Sequence, residues 1–342
     1  MSSMIRWFEE TGNMNDVVVF SRVRLARNLK NYNFSYKLSV EDARNMIENI
    51  RKRFFEEDDL AEKFYLIDLD ELDTIELKAL EERKVISGFL AERKNAYAFV
   101  SHDEKMGVMV NEEDHIRIQA LHAGMSLEEA FGYASKLDDR MSEMFEYAFD
   151  EELGYLTSCP TNVGTGLRAS CMLHLPALTN GKKIQGIIDG MGHFGVSMKV
   201  ISQEANLYQV SNIKTLGLRE NEIINNVKNV VTQIVEQERK ARRYYISHEK
   251  LKMEDEVYKS YGVLKYSRKM TEKDADFLLS ELRMGLSEGL ITTFADDTFM
   301  TYQIMMGIKP NNLQMLFGKE LNEEEIQVER AKFIRENLPQ IS

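Results

Sequence analysis

Cysteine, proline and tryptophan are scarce in this chain. Its 342 residues hold two cysteines, four prolines and one tryptophan. Two cysteines, Cys159 and Cys171, are too few for a disulfide framework. The N-terminal segment carries Arg6, Glu9 and Glu10 and lacks the apolar core of a signal peptide, so a reducing, cytoplasmic location is expected. No run reaches the roughly 18 apolar residues of a membrane span. Positive charge is in deficit as well: 44 Lys and Arg against 56 Asp and Glu give a net charge of −12. Phosphate backbones and anionic lipids both select basic surfaces, which argues against a general nucleic-acid binder and a membrane-surface protein. Internal repeats, low-complexity tracts and Gly/Ser linkers are also missing. What is present is ordinary for a globular protein, with 43% hydrophobic and 29% charged residues, and the length suits two domains or one large one.

The pattern along the chain is mixed at first and helical later. Asp16–Phe20, Phe64–Ile67, Ala96–Val100 and Gly107–Val110 read as short strands, the last two as an antiparallel pair. Ser39-Val40-Glu41-Asp42 and Ser126-Leu127-Glu128-Glu129 look like capping boxes, opening helices through about Phe55 and over 127–149. Arg168–Leu175 is strand or buried helix. A helix at Ile184–Met191, strands near Val196–Val200 and Leu207–Val210, and a helix from Glu222 to about Tyr245 follow. Thr271 and Asn322 cap further helices. Composition changes near residue 250, which predicts a mixed α+β domain over 1–250 and a smaller all-α domain over 251–342. The stripe Phe277, Leu278, Leu282, Leu286, Leu290 is either internal core or an association surface.

Three stretches concentrate chemistry. Ser21-Arg22-Val23-Arg24-Leu25-Ala26-Arg27 follows the first strand. If that strand continues, Arg22 and Arg24 share a face, either as a phosphate site, since guanidinium matches phosphate oxygens bidentately, or as a solvated edge. Asn111-Glu112-Glu113-Asp114-His115-Ile116-Arg117 gathers three carboxylates, an imidazole and an arginine. It reads as a metal site, as a general base beside a cationic substrate, or as a polar loop. Cys159-Pro160-Thr161-Asn162-Val163-Gly164-Thr165-Gly166-Leu167-Arg168 contains G-x-G-x-x-A, but no strand leads directly into it, which argues against a dinucleotide fingerprint. It is a loop whose glycines let backbone approach something closely. Cys171 fits the usual reading of a buried structural cysteine.

Together, SRVRLARNL, NEEDHIRI and CPTNVGTGLRAS, in this order, resemble the ATP:guanido phosphotransferase superfamily, which includes creatine, arginine and bacterial protein arginine kinases. The lead-in Leu153–Pro160, the run Leu173–Leu178 and the helical tail make the resemblance strongest to the bacterial protein arginine kinases. The resemblance spans about residues 16–340, and there is little room before it for the separate helical N-terminal domain of the small-molecule enzymes. It implies a phosphagen-kinase-like catalytic domain, with a mainly antiparallel sheet flanked by helices, then a helical C-terminal domain for dimerisation and partner binding. It implies ATP with Mg²⁺ carried on the nucleotide and no metal ligands from protein side chains. Arg22, Arg24, Arg117 and Arg168, with Arg27 in the same motif, become phosphate-binding residues. Glu113 becomes the carboxylate that grips the acceptor guanidinium and takes its proton, and Cys159 sits beside that guanidinium.

The implied reaction moves the γ-phosphoryl group of ATP to arginine in proteins, a stress-response mark for degradation. Implied partners are arginine-bearing substrates, an activator protein, and the bacterial protease and chaperone machinery, with no nucleic acid or membrane. The alternatives are a kinase of small guanidino compounds and a catalytically weakened regulatory relative. Two departures stand out. Family members carry a glycine-rich loop with an arginine and a second carboxylate where this chain has Met198–Asn206, without glycine; Lys199 and Glu204 are the stand-ins there. Ile326-Gln327 occupies the place of an Arg-Asp pair that reads phosphoarginine, so that regulation is not carried over.

Overall fold

The computed structural model describes residues 6–294 and 300–342. An eight-stranded sheet runs through its first two thirds. The strands are β1 (Val18–Arg27), β2 (Phe64–Asp68), β3 (Tyr97–Ser101), β4 (Met106–Val110), β5 (Ile116–Ala123), β8 (Leu167–His174), β9 (Val196–Ser202) and β10 (Leu207–Asn212); β6 (Phe149–Asp150) and β7 (Gly154–Tyr155) form a separate small hairpin. The sheet order is β2-β3-β4-β5-β1-β8-β10-β9, and every neighbouring pair is antiparallel. The central strand β1 therefore lies between the strands that follow the two other motifs.

The helices are α1 (Val40–Glu56), α2 (Asp58–Lys63), α3 (Thr74–Glu82), α4 (Gly88–Ala91), α5 (Leu127–Met144), α6 (Pro176–Asn180), α7 (Ile184–Gly190), α8 (Glu220–Tyr266), α9 (Glu272–Ser287), α10 (Met300–Gly307), α11 (Pro310–Phe317) and α12 (Glu323–Asn337). Ser39 caps α1 by accepting from the Asp42 N–H, as the sequence predicts. Ser126 does not cap α5; its hydroxyl donates to the Ala123 carbonyl. That helix ends at Met144, because Phe145 turns extended. The helix expected to stop near Tyr245 runs on to Tyr266, interrupted only by the non-helical backbone of Glu249.

Two cores sit on opposite faces of the sheet. Val23, Leu25, Ile118 and Ala169 pack with Leu127, Ala134, Val231 and Ile234 of α5 and α8. On the other face Phe20, Leu121, Met172 and Leu207 pack with Trp7 and with Leu279, Leu282, Tyr302 and Ile304 of the C-terminal helices. The C-terminal helices thus cover part of one sheet face. Of the stripe, Leu282 in α9 and Leu290 just beyond it are buried in that core, whereas Phe277 is 50% exposed. Among the described residues no helix is long and apolar enough to cross a membrane.

Candidate active site

Strand register gathers the arginines. Directly opposed residues of antiparallel strands share a face. Arg22 lies opposite Ser170 and Leu121, and Arg24 lies opposite Arg168 and Gln119. Arg117 lies opposite Ala26, two positions further along the same face. Arg22, Arg24, Arg117 and Arg168 therefore occupy one end of the face whose other end is covered by Trp7 and the C-terminal helices. Each is half-buried.

The cluster is short of anions. Arg22 and Arg24 each leave Nε buried without a hydrogen-bond partner among the described residues. Among the described residues Arg168 is left with a long 3.4 Å contact from Nη2 to the Ser211 hydroxyl. Arg117 pairs with Glu112. Burial and mutual repulsion press on the charges: burial, then Arg117, pushes Arg22 down to about 10. Arg24 falls well below its ordinary value through burial and the charges of Arg22, Arg117 and Arg168. Arg168 is lowered by burial and Arg117. Lys84 adds a further cation, lowered by burial and by Arg22 and Lys309. It stands at φ 65°, a strained backbone for a lysine, with its carbonyl held by the Gln119 side chain at 2.8 Å. A cluster of guanidinium groups with unpartnered Nε atoms fits a triphosphate by charge and by donor chemistry.

The carboxylate motif is the β4–β5 connection, and each acid in it does something different. Glu112 is buried, accepts from the Ser87 hydroxyl at 2.6 Å and pairs with Arg117. Asp114 is buried and accepts from the Asn28 amide at 2.7 Å and from the Ser158 N–H at 2.6 Å. Glu113 has neither tie. Burial, then Asp114 and Glu112, raises its carboxyl above the usual range, against the Arg117 charge and a hydrogen bond with Cys159. His115 is not a ligand or base: Nδ1 accepts from the Leu29 N–H at 3.0 Å and Nε2 faces the Asn33 carbonyl at 2.8 Å. Burial holds its ring neutral. Among the described residues no group of three or more His, Cys, Asp or Glu is arranged to hold a metal.

The third motif delivers Cys159 to Glu113. Asp114 fixes Ser158, one residue before the cysteine, and Cys159 Sγ lies 3.0 Å from the Thr161 hydroxyl. The glycines answer to close backbone approach. Gly164 stands at φ 109°, where a Cβ would meet the Thr215 carbonyl at 2.6 Å. At Gly166, φ 64°, it would meet the Ala26 carbonyl at 2.6 Å. A side chain at Gly166 would push the loop off β1, and one at Gly164 would push it off the segment after β10. Asn212 holds the start of β8 by accepting from the Ala169 N–H at 2.9 Å and donating to the Leu167 carbonyl at 3.0 Å.

Two sequence-derived candidates lie elsewhere, and a third lies at the edge of the arginine face. Arg27 points to the opposite face, is buried, and is bound to Asp138 and to the carbonyls of Ala26 and Thr165, away from the arginine cluster. Glu204 sits in the turn after β9, at the His174 end of the sheet rather than the Arg168 end, with its carboxylate 4.0 Å from the Lys273 amine. Most of the stretch 198–206 is strand rather than loop. Lys199 is on the arginine face, exposed on the edge strand opposite Gln209. Asn28 lies inside SRVRLARNL without being singled out there, and Lys84, Asp138 and Asn212 lie outside the three motifs; they act through buried hydrogen bonds or proximity.

The chain is similar in sequence to guanido phosphotransferases and in fold to phosphagen kinases. Residues 45–241 match the family model for the ATP:guanido phosphotransferase C-terminal catalytic domain, and residues 250–342 match that for the protein-arginine kinase McsB C-terminal domain. The chain is 38% identical over 341 residues to a protein-arginine kinase of Clostridium acetobutylicum, covering 98% of this chain and 100% of that one. It is 40% identical over 338 residues to the protein-arginine kinase of Bacillus mycoides, covering 97% and 95%. Among solved structures, a lombricine kinase superposes with a TM-score of 0.59 at 19% identity, over 67% of this chain and 68% of that one. A duplicated taurocyamine kinase from Schistosoma mansoni gives 0.61 at 19% identity, over 91% of this chain and 48% of that one. At that identity the structures speak to the fold, an antiparallel sheet with flanking helices, while the sequence matches run nearly end to end. The chain belongs to the ATP:guanido phosphotransferases and, among them, to the protein-arginine kinase family.

Proposed function

We propose that this protein transfers the γ-phosphoryl group of ATP to the guanidinium of arginine residues in proteins. The observation that carries the reading is the set of Arg22, Arg24, Arg117 and Arg168 on one sheet face, two of them with buried Nε atoms lacking a partner. These arginines hold the triphosphate and stabilise charge as the phosphoryl group moves, which is most of what such a reaction requires. Mg²⁺ would arrive on the nucleotide and offset phosphate charge.

The acceptor arrives protonated, because a guanidinium has a pKa above about 12. Glu113 grips it and accepts one N–H proton as the N–P bond forms and the bond from phosphorus to the β–γ bridging oxygen breaks, leaving ADP. The raised proton affinity of Glu113 suits that role. Cys159, hydrogen-bonded to Glu113, orients the attacking nitrogen. Asp114 and Asn28 are positioning residues that hold the cysteine segment against the β4–β5 connection.

Residues 1–250 serve as the catalytic unit and 251–342 as a helical unit for dimerisation and partner binding. In the cytoplasm the phosphoarginine mark directs substrates to a protease machine, with an activator protein setting the rate. The direct test is incubation with Mg-ATP and a protein mixture, followed by detection of acid-labile phosphate on arginine. Product on free arginine alone would indicate a small-molecule guanidino kinase. Nucleotide binding without product would indicate a regulatory relative.

A further inference from the structure

A groove opens beside the cysteine loop that the phosphoryl-transfer reading does not use. It has a volume of about 540 Å³ and lies between the β6–β7 hairpin and the segment leading into α8. Its walls are apolar and open to solvent: Phe149 is 57% exposed, Leu153 46%, Leu216 51% and Leu218 42%. Its rim is acidic, with Glu151, Glu152, Glu220 and Glu222 against the single cation Arg219.

The groove is rigid and connected to the chemistry. Phe149 packs edge-on to Tyr155 at 5.2 Å, and Tyr155 is held by the Arg27 guanidinium 3.6 Å from its ring centroid. Asp150 ties the hairpin turn by accepting from the N–H groups of Glu152 and Leu153. On the other wall the Thr215 hydroxyl contacts the carbonyls of Thr161 and Val163 at 2.9 and 2.7 Å. Thr161 is the residue whose hydroxyl touches Cys159. The groove wall and the cysteine segment are therefore one hydrogen-bonded unit.

We propose that this groove docks the polypeptide flanking the acceptor arginine, taking an apolar side chain between Phe149 and Leu216 and basic side chains along the glutamate rim. The occupant follows from charge, since an arginine-bearing substrate segment that is also lysine-rich complements a rim of this sign, and the bonds from Thr215 through Thr161 tie the groove to the cysteine segment. The inference rests on the protein-arginine kinase reading and adds a sequence preference to it.

Two peptides test it, Ala-Leu-Lys-Arg-Leu-Lys-Ala and Ala-Leu-Glu-Arg-Leu-Glu-Ala. The wild-type protein is expected to phosphorylate the basic peptide with a kcat/KM at least about tenfold higher. The double variant Glu151→Lys/Glu152→Lys should erase that preference, and Leu216→Asp should raise KM for both peptides, with nucleotide affinity unchanged in each. The charge variant changes only exposed side chains, so it reports even if Leu216→Asp folds poorly. Equal use of the two peptides by wild type, unaltered by the charge variant, overturns the groove assignment and leaves the kinase reading standing. Absence of phosphoarginine on these peptides and on a protein mixture overturns both. Sedimentation showing that the variants dissociate a dimer while the KM values hold would assign the groove to a second copy and overturn the proposal.

Discussion

Arg24 and Arg27 stand three residues apart on one strand and have opposite fates. Arg27 is fully buried, with Nε and Nη2 on Asp138, Nη1 on two carbonyls and its plane against Tyr155. Arg24 has a buried Nε with no partner and is crowded by three other arginines. The same residue type in the same motif is a structural strut in one case and an unsatisfied charge in the other. Glu112 and Glu113 repeat the contrast: the first is bonded to Ser87 and Arg117, and the second is left with a raised proton affinity. Partnership, more than residue type, separates the residues that hold the fold from those proposed to meet substrate.

Breaking each side of the comparison gives different readouts. Glu113→Gln should lower the transfer rate by about 10³-fold while ATP affinity stays near wild type; an equal loss of nucleotide binding would remove it from the base role. Arg27→Met should cost about 3–5 kcal/mol in denaturant unfolding, because Asp138 is left buried and unpaired. Adding Asp138→Leu should recover much of that loss, and failure to do so would show that Arg27 does more than pair. Arg24→Met should behave in the reverse sense. It should cost about 10²-fold in kcat/KM, yet raise the melting temperature of the nucleotide-free protein, since folding disfavours that cation.

Smaller effects appear in pH dependence. Glu113 must be ionised to act, so kcat/KM should rise with pH, with its acid limb above the ordinary carboxylate range. Glu281, buried in α9 near Glu256, is raised to about 7. A raised folded-state value means the folded protein holds this proton more tightly than the unfolded chain. Its contribution to stability is therefore present below pH 4.5 and lost as pH rises through about 7. Glu281→Gln should flatten that part of the stability profile, and an unchanged slope would assign it to other groups.

Much of this was legible in the sequence because strand periodicity is local. Arg22 and Arg24 alternate, and the extension of β1 through the motif puts both on one face. The glycines announced close approach without saying to what; the partners, Ala26 and Thr215, are distant in sequence and appear only with the fold. Arg27 was misassigned because alternation had to be followed one step further, to the face that holds Asp138. Glu204 was misplaced because the stretch around it was read as a loop; pairing of β9 with β10 carries it to the far end of the sheet. The expected helix end near Tyr245 failed because packing carries α8 on to Tyr266, its apolar stripe passing from one core to the other.

The claim at the centre is that an acidic protein holds a triphosphate on one cationic end of a sheet face. Calorimetric titration of ATP into the wild type, Arg24→Met and the Arg27→Met/Asp138→Leu pair tests it most directly. The account predicts at least about tenfold weaker binding for Arg24→Met and near wild-type binding for the pair. Equal ATP affinity in the wild type and Arg24→Met would contradict it.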